Sequence, residues 1–336
     1  MVMWRQALAV VSALLLTTPL LYAQPKDQTR KLANDEKKEL LAITALLGAA
    51  QPPANELALT WVGSDLLKAQ GNKEYIPFTL TLDASRLSQR RVALYWRVVP
   101  RTPGEEPRPA RKDDKAASYT FENIHMVDLP AGAMVRVSRS VVVPPGEYDL
   151  VVVAKELEQK RRAEGGTVGY LRQPLTVPDL WNGELTTSSV IVAERIDQLS
   201  APLTPAQQEE RPYALGNMEI VPATGTRFTK KNDLSVFLLI YNAKTDPSTD
   251  APNVAVEYNF YSVVNGSEKF FNKTTPQALN AQTLPAGFDA TAGMTNGQTI
   301  PLASFPEGDY RMEIRVTDKL ASRSITRDVK FSVSGT

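Results

Sequence analysis

Two strand-like motifs recur in this chain at one common spacing. PPGEYDLVVVA, Pro144–Ala154, returns as PEGDYRMEIRV, Pro306–Val316, and VALYWRV, Val92–Val98, returns as VAVEYNF, Val254–Phe260. Both pairs are offset by 162 positions (306 − 144 and 254 − 92). Two motifs that hold their mutual distance across a long intervening stretch point to duplication of one structural unit. The chain should therefore consist of two copies of a β-rich domain.

The local pattern agrees. Short runs of Val, Ile, Leu, Tyr and Thr predict strands at 57–62, 75–82, 92–99, 119–127, 133–141, 148–154 and 168–177 in the first copy. In the second they fall at 186–194, 218–221, 234–242, 254–262, 269–273, 299–302, 310–317 and 325–333. In FTLTLD, Phe78, Leu80 and Leu82 share one face, the alternation of a half-buried strand, whereas Val151–Val153 reads as a central strand covered on both sides.

The recurring P-x-G-x-Y has a physical reason. Pro144 and Pro306 stop the preceding segment, Gly146 and Gly308 permit a turn with positive φ, and Tyr148 and Tyr310 can bury their rings while each hydroxyl reaches a backbone partner. This is similar to the tyrosine corner of immunoglobulin-like domains. The expected fold is all-β: two tandem antiparallel immunoglobulin-like β-sandwiches, 55–180 and 181–336, behind a short N-terminal helical arm and linker, 24–54. The arm places Leu32, Glu36, Leu40, Ile43 and Leu47 along one helical face and stops at Gly48 and Pro52-Pro53. A proline-rich connection, 197–216, is expected to hug the surface, since Pro202, Pro205 and Pro212 forbid a continuous helix or central strand.

Residues 1–23 carry Arg5, a leucine-rich stretch and a Leu-Tyr-Ala ending, the layout of a secretory signal peptide cleaved after Ala23. The expected location is secreted or periplasmic, without membrane insertion of the mature chain. Zero cysteines in an exported chain means that apolar cores rather than disulfides carry stability. Removing the signal takes away one of 38 basic residues, leaving 37 against 37 acidic ones. A neutral chain lacks the bulk attraction for phosphate that a nucleic-acid partner demands.

Catalytic chemistry finds little footing. His125 is the only histidine, no G-x-S-x-G elbow is present, and Asp113-Asp114 and Glu209-Glu210 read as solvated loop. Phosphate-cradling glycine motifs are absent, so neither a cofactor nor an enzyme is expected. Asp246 and Asp250, with Asn242 and Asn253, suggest either calcium ligands or turn formers. The long polar stretch 272–299 is expected to be the loop where binding resides, and Trp181, Phe271, Asn272 and Phe288 are the candidate ligand or partner contacts.

The segments YIPFTLTLD, NIHMVDLP, PPGEYDLVVVAKE, GYLRQPLTVPDL, TTSSVIVAERI, EKFFNKTTPQALNAQTLPAGFD and IPLASFPEGDYRMEIRVTDKLASRSITRDVKFSV resemble an uncharacterised family of secreted bacterial proteins. Some of its members set similar modules beside von Willebrand factor A-like domains. The resemblance implies export and paired β-sandwiches and brings no activity, cofactor or catalytic residue. The expectation is a non-enzymatic exported binding or assembly protein of the cell envelope, with other envelope or extracellular proteins or a second copy as partner. The alternatives are a carbohydrate- or polymer-binding accessory module, requiring Trp181, Phe271 and Phe288 exposed and coplanar, and a hydrolase, requiring converging carboxylates or His125 with an acid partner.

Overall fold

The computed structural model describes residues 32–101, 119–157, 167–285 and 288–335. The signal segment 1–23 and most of the charged insertion 100–117 lie outside them. The described chain is mostly β with antiparallel sheets. It divides into two compact units: an N-terminal one, up to Asn182 together with Leu199–Glu219, and a C-terminal one of Gly183–Gln198 and Ile220–Thr336.

In the N-terminal unit, helix α1 (Asn34–Leu47) precedes β1 (Thr60–Ser64), β2 (Leu67–Ala69), β3 (Lys73–Asp83), β4 (Arg91–Pro100), β5 (Phe121–Asp128), β6 (Met134–Val143), β7 (Gly146–Glu156) and β8 (Val168–Val177). One sheet carries β1 and β2 on one edge of β3 and β6 on the other; the second runs β5-β4-β7-β8. Alternation decides what they bury. Phe78, Leu80 and Leu82 of β3 meet Leu94, Trp96 and Val98 of β4 and Leu150 and Val152 of β7 in one core. Each such side chain contributes about 1.5–3 kcal/mol by leaving water.

The opposite faces of β4 and β7 are apolar too. Ala93, Tyr95, Ile124 and Val153 form a second cluster, and Ile43 of α1 is buried in it with Leu32, Leu40 and Leu47 alongside. Val151, Val152 and Val153 are all buried, as a strand covered on both sides requires. The arm thus docks on its own chain, and Lys155 Nζ meets Glu39 Oε2 at 3.0 Å with both side chains almost wholly buried.

In the C-terminal unit, β9 (Thr186–Thr187) and β10 (Ile191–Gln198) lead to the connection, which holds helix α2 (Pro205–Glu210) and the hairpin of β11 (Ala214–Leu215) with β12 (Met218–Pro222). The remaining strands are β13 (Arg227–Thr229), β14 (Asp233–Tyr241), β15 (Val254–Val264), β16 (Ser267–Lys273), β17 (Gln277–Leu279), β18 (Met294–Pro301), β19 (Gly308–Asp318) and β20 (Arg323–Ser334). β14 pairs with β9, β10 and β18. Facing them is the sheet β13-β20-β19-β15-β16, with β17 also on β15 and only β13–β20 parallel. Leu238 and Ile240, Tyr258 and Phe260, Met312 and Ile314, and Phe331 fill its core.

The two copies match residue for residue in their central ladders. Val92 lies opposite Glu156 and Val98 opposite Leu150; their counterparts 162 positions on, Val254 with Asp318 and Phe260 with Met312, are partnered identically. The corner also recurs. Tyr148 donates its hydroxyl to the Pro144 carbonyl at 3.1 Å, and Tyr310 to that of Pro306 at 2.8 Å. Gly146 and Gly308 turn the chain at φ of 157° and 149°, where a side chain is strained.

The connection 197–216, grouped in sequence with the second copy, has Leu199–Glu219 packed with the N-terminal unit. Tyr213 is buried there, its hydroxyl 3.0 Å from Asp65 Oδ2, and Tyr75 donates to the Pro212 carbonyl at 2.7 Å. The stretch 272–299 is not one long loop, because β17 and β18 lie within it. Their polar residues are anchored across the core: Tyr258 donates to Asn296 Oδ1 at 2.5 Å, and Asn296 to Gln277 Oε1 at 2.7 Å.

Candidate functional site

Of the expected contact residues, Trp181 lies in the N-terminal unit and Phe271, Asn272 and Phe288 in the C-terminal one. Trp181, half-buried in the N-terminal unit, donates its indole N–H to the Lys73 carbonyl at 3.0 Å, with Lys68 Nζ 4.4 Å from its ring centre. Phe271, in the C-terminal unit, turns inward against Phe305 and Tyr310, ring centres 5.0 and 5.5 Å away. Phe288 packs half-buried on the same core. Asn272 is exposed, and its side-chain oxygen accepts from the Lys273 amide at 2.8 Å. Trp181, Phe271 and Phe288 are each partly buried.

His125 does acquire an acid partner. Its Nε2 lies 3.0 Å from Glu209 Oε2 of α2 and 3.3 Å from Asn123 Nδ2, while the ring meets Trp96 edge-on at 5.1 Å. Beside it Arg139 is buried, which lowers its pKa to about 10 against the opposing pull of Glu210 and Glu209. The contact joins β5 to α2, which also packs on β6.

Asp246 behaves as a turn former. Its carboxylate accepts the Ser248 amide at 2.8 Å and hydroxyl at 2.5 Å, which lower its pKa. Among the described residues, no group of three or more His, Cys, Asp and Glu side chains is placed to hold a metal ion. Nor, among them, is any helix long and apolar enough to cross a membrane.

The surface with the most distinctive geometry is the β15–β16 hairpin. Asn265 and Gly266, at φ of 51° and 76°, supply the two left-handed residues of a tight hairpin turn that matches strand twist. A bulge between Phe260 and Tyr261 in the pairing leaves Phe271 unopposed, so Phe271 faces inward and Phe270 outward. Phe270 is 54% exposed and Val264, at the tip, 65%. β16 is the last strand of its sheet, and no strand among the described residues pairs with its free edge.

Beneath Phe270 lies a locked polar assembly. Phe270 meets Tyr261 edge-on at 5.9 Å, and the Arg311 guanidinium sits 4.5 Å from the Tyr261 ring centre. Arg311 forks onto Glu268 at 2.8 and 2.7 Å and reaches Asp328 at 2.6 Å. These contacts raise the arginine pKa and lower that of Glu268. The result is an exposed aromatic above a charged base beside an open strand edge. The period-two pattern of EKFFNK puts one phenylalanine inside and one outside, and only the bulge decides which.

In the comparisons with known proteins, no family model matches the chain and no curated protein matches it.

Proposed function

We propose that the protein is a non-enzymatic, exported binding or assembly protein of the cell envelope, built from two tandem immunoglobulin-like sandwiches. Lettered along the chain, each unit has strands A, B and E in one sheet and C′, C, F and G in the other. Its tyrosine hydrogen-bonds four residues upstream at the start of F. That order and that corner are features of immunoglobulin-like folds. The resemblance to secreted bacterial proteins and the layout of residues 1–23 support export.

The observation that carries the binding reading is the β16 edge with Phe270 beside it. An open edge offers main-chain hydrogen bonds to an incoming strand, and a preordered aromatic beside it adds apolar area at low entropic cost. The partner is an envelope or extracellular protein. The test is a photo-crosslinking residue at position 270 in intact cells, with position 41, exposed on α1, as control. A discrete adduct from position 270 alone, in an exported chain beginning at Gln24, is expected. Equal or no labelling at the two positions, or retention inside the cell with residues 1–23 attached, overturns the proposal.

A further inference from the structure

Glu74 of β3 is fully buried. Alternation would place a hydrophobic residue here, yet the chain spends a carboxylate. One oxygen accepts the Leu180 amide at 3.0 Å; the other, Oε2, has no hydrogen-bond partner. Around it stand Lys68 of β2, almost wholly buried, and Asp179 of the segment that follows β8. That segment is tied down twice, by the Leu180 amide on Glu74 and by the Trp181 indole on the Lys73 carbonyl. It is also where the chain leaves the N-terminal unit, whose first stretch ends at Asn182.

A buried carboxylate with one unsatisfied oxygen is strongly disfavoured unless it is neutral or reached by water. The neutral acid leaves the covering segment in place. The anion, disfavoured by burial and by Asp179 though favoured by the Leu180 amide and by Lys68, gains most by hydrating Oε2, and freeing the Leu180 amide from the carboxyl is the local movement that would admit water. We propose that Glu74 is a proton-operated clamp on the exit segment Asp179–Trp181: closed when the carboxyl is neutral, released when it ionises. This goes beyond the binding reading and stands whether or not the β16 edge binds a partner.

Burial raises the Glu74 pKa to about 7; the Leu180 hydrogen bond opposes that shift, Asp179 adds to it and Lys68 opposes it. A pKa raised on folding gives stability that is complete below the unfolded value and lost as pH rises through the folded one. The clamp therefore opens across neutrality, a range that an exported protein meets.

The experiment uses the whole chain with carbon-13 in its glutamate carboxyls. A Glu74 titration midpoint near pH 7 is expected. Leu180 amide exchange, corrected for its intrinsic pH dependence, should accelerate on the order of tenfold or more across that midpoint, with a red shift of Trp181 emission. Glu74→Gln, which keeps an acceptor for Leu180, should abolish both responses. A midpoint near the ordinary glutamate value of about 4.3, or exchange at Leu180 indifferent to pH, overturns the proposal. So does a pH response that persists in a folded Glu74→Gln protein; should that variant fail to fold, the wild-type titration and exchange decide alone.

Discussion

Trp96 and Tyr258 occupy the same ladder position in the two copies, 162 residues apart (258 − 96), and each spans its core to the opposite sheet. The Trp96 indole donates to the Ser140 carbonyl of β6 at 3.1 Å, and the Tyr258 hydroxyl donates to Asn296 Oδ1 of β18 at 2.5 Å. A large aromatic with one polar tip fixes the spacing of two sheets at a single point. Tyr258→Phe keeps the ring but leaves Asn296 short of a donor. It should cost about 1–3 kcal/mol in urea unfolding of the C-terminal unit.

The glycines of the two corners differ in what surrounds them. A Cβ at Gly146 would lie 3.1 Å from the Tyr148 ring, whereas one at Gly308 would meet nothing within 4 Å. Both replacements incur backbone strain of about 1–3 kcal/mol. Only Gly146→Ala should also displace its tyrosine, so it should lower the melting temperature more than Gly308→Ala.

Breaking the buried Lys155–Glu39 pair from one side leaves a charge without its counterion. Lys155→Met should cost about 3–5 kcal/mol, and the double change Lys155→Met, Glu39→Leu should recover most of it. Equal loss in single and double variants, by chemical denaturation, would show that the pair does not hold α1.

Asp65 is pushed up to about 6 by burial, with the Tyr213 hydroxyl pulling the other way. Its stabilising contribution is complete below about 3.8 and lost as pH rises through about 6. Asp65→Asn should remove that fall in stability, measured as the urea midpoint at pH values on either side.

Removing the His125–Glu209 contact should loosen the connection without touching the C-terminal core. With His125→Ala, limited proteolysis is expected to cut more readily within 199–219, while exchange in the β15–β19 ladder stays unchanged. Equal protease resistance would mean that Tyr75 and Tyr213 suffice to hold the segment.

The duplication was legible because the strands that carry it are buried on at least one face and keep the period of two. The helix was legible from Leu32, Leu40, Ile43 and Leu47, but its docking place was not. That place is set by Tyr95 and Val153, which share strands with core residues and face the other way. β17 and the first part of β18 are hard to read in sequence because QAL and MTNGQ replace apolar alternation with a hydrogen-bonded chain through Asn296, a partner that appears only once the sheets meet. Phe271, a contact candidate, adjoins Phe270, and no local rule assigns inside and outside without the bulge.

The matched faces of the two units have taken opposite paths. Tyr95, Val153 and Lys155 lie under α1, whereas the residues 162 positions on, Glu257, Arg315 and Thr317, are polar and reach solvent. A roof of one helix permits greasy shingles below it, and a wall left to the weather must be painted with charge. Trimming the helix from the first copy would thus not return it to the condition of the second. It would bare an oily slab that only a wholesale exchange of those side chains could make tolerable in water.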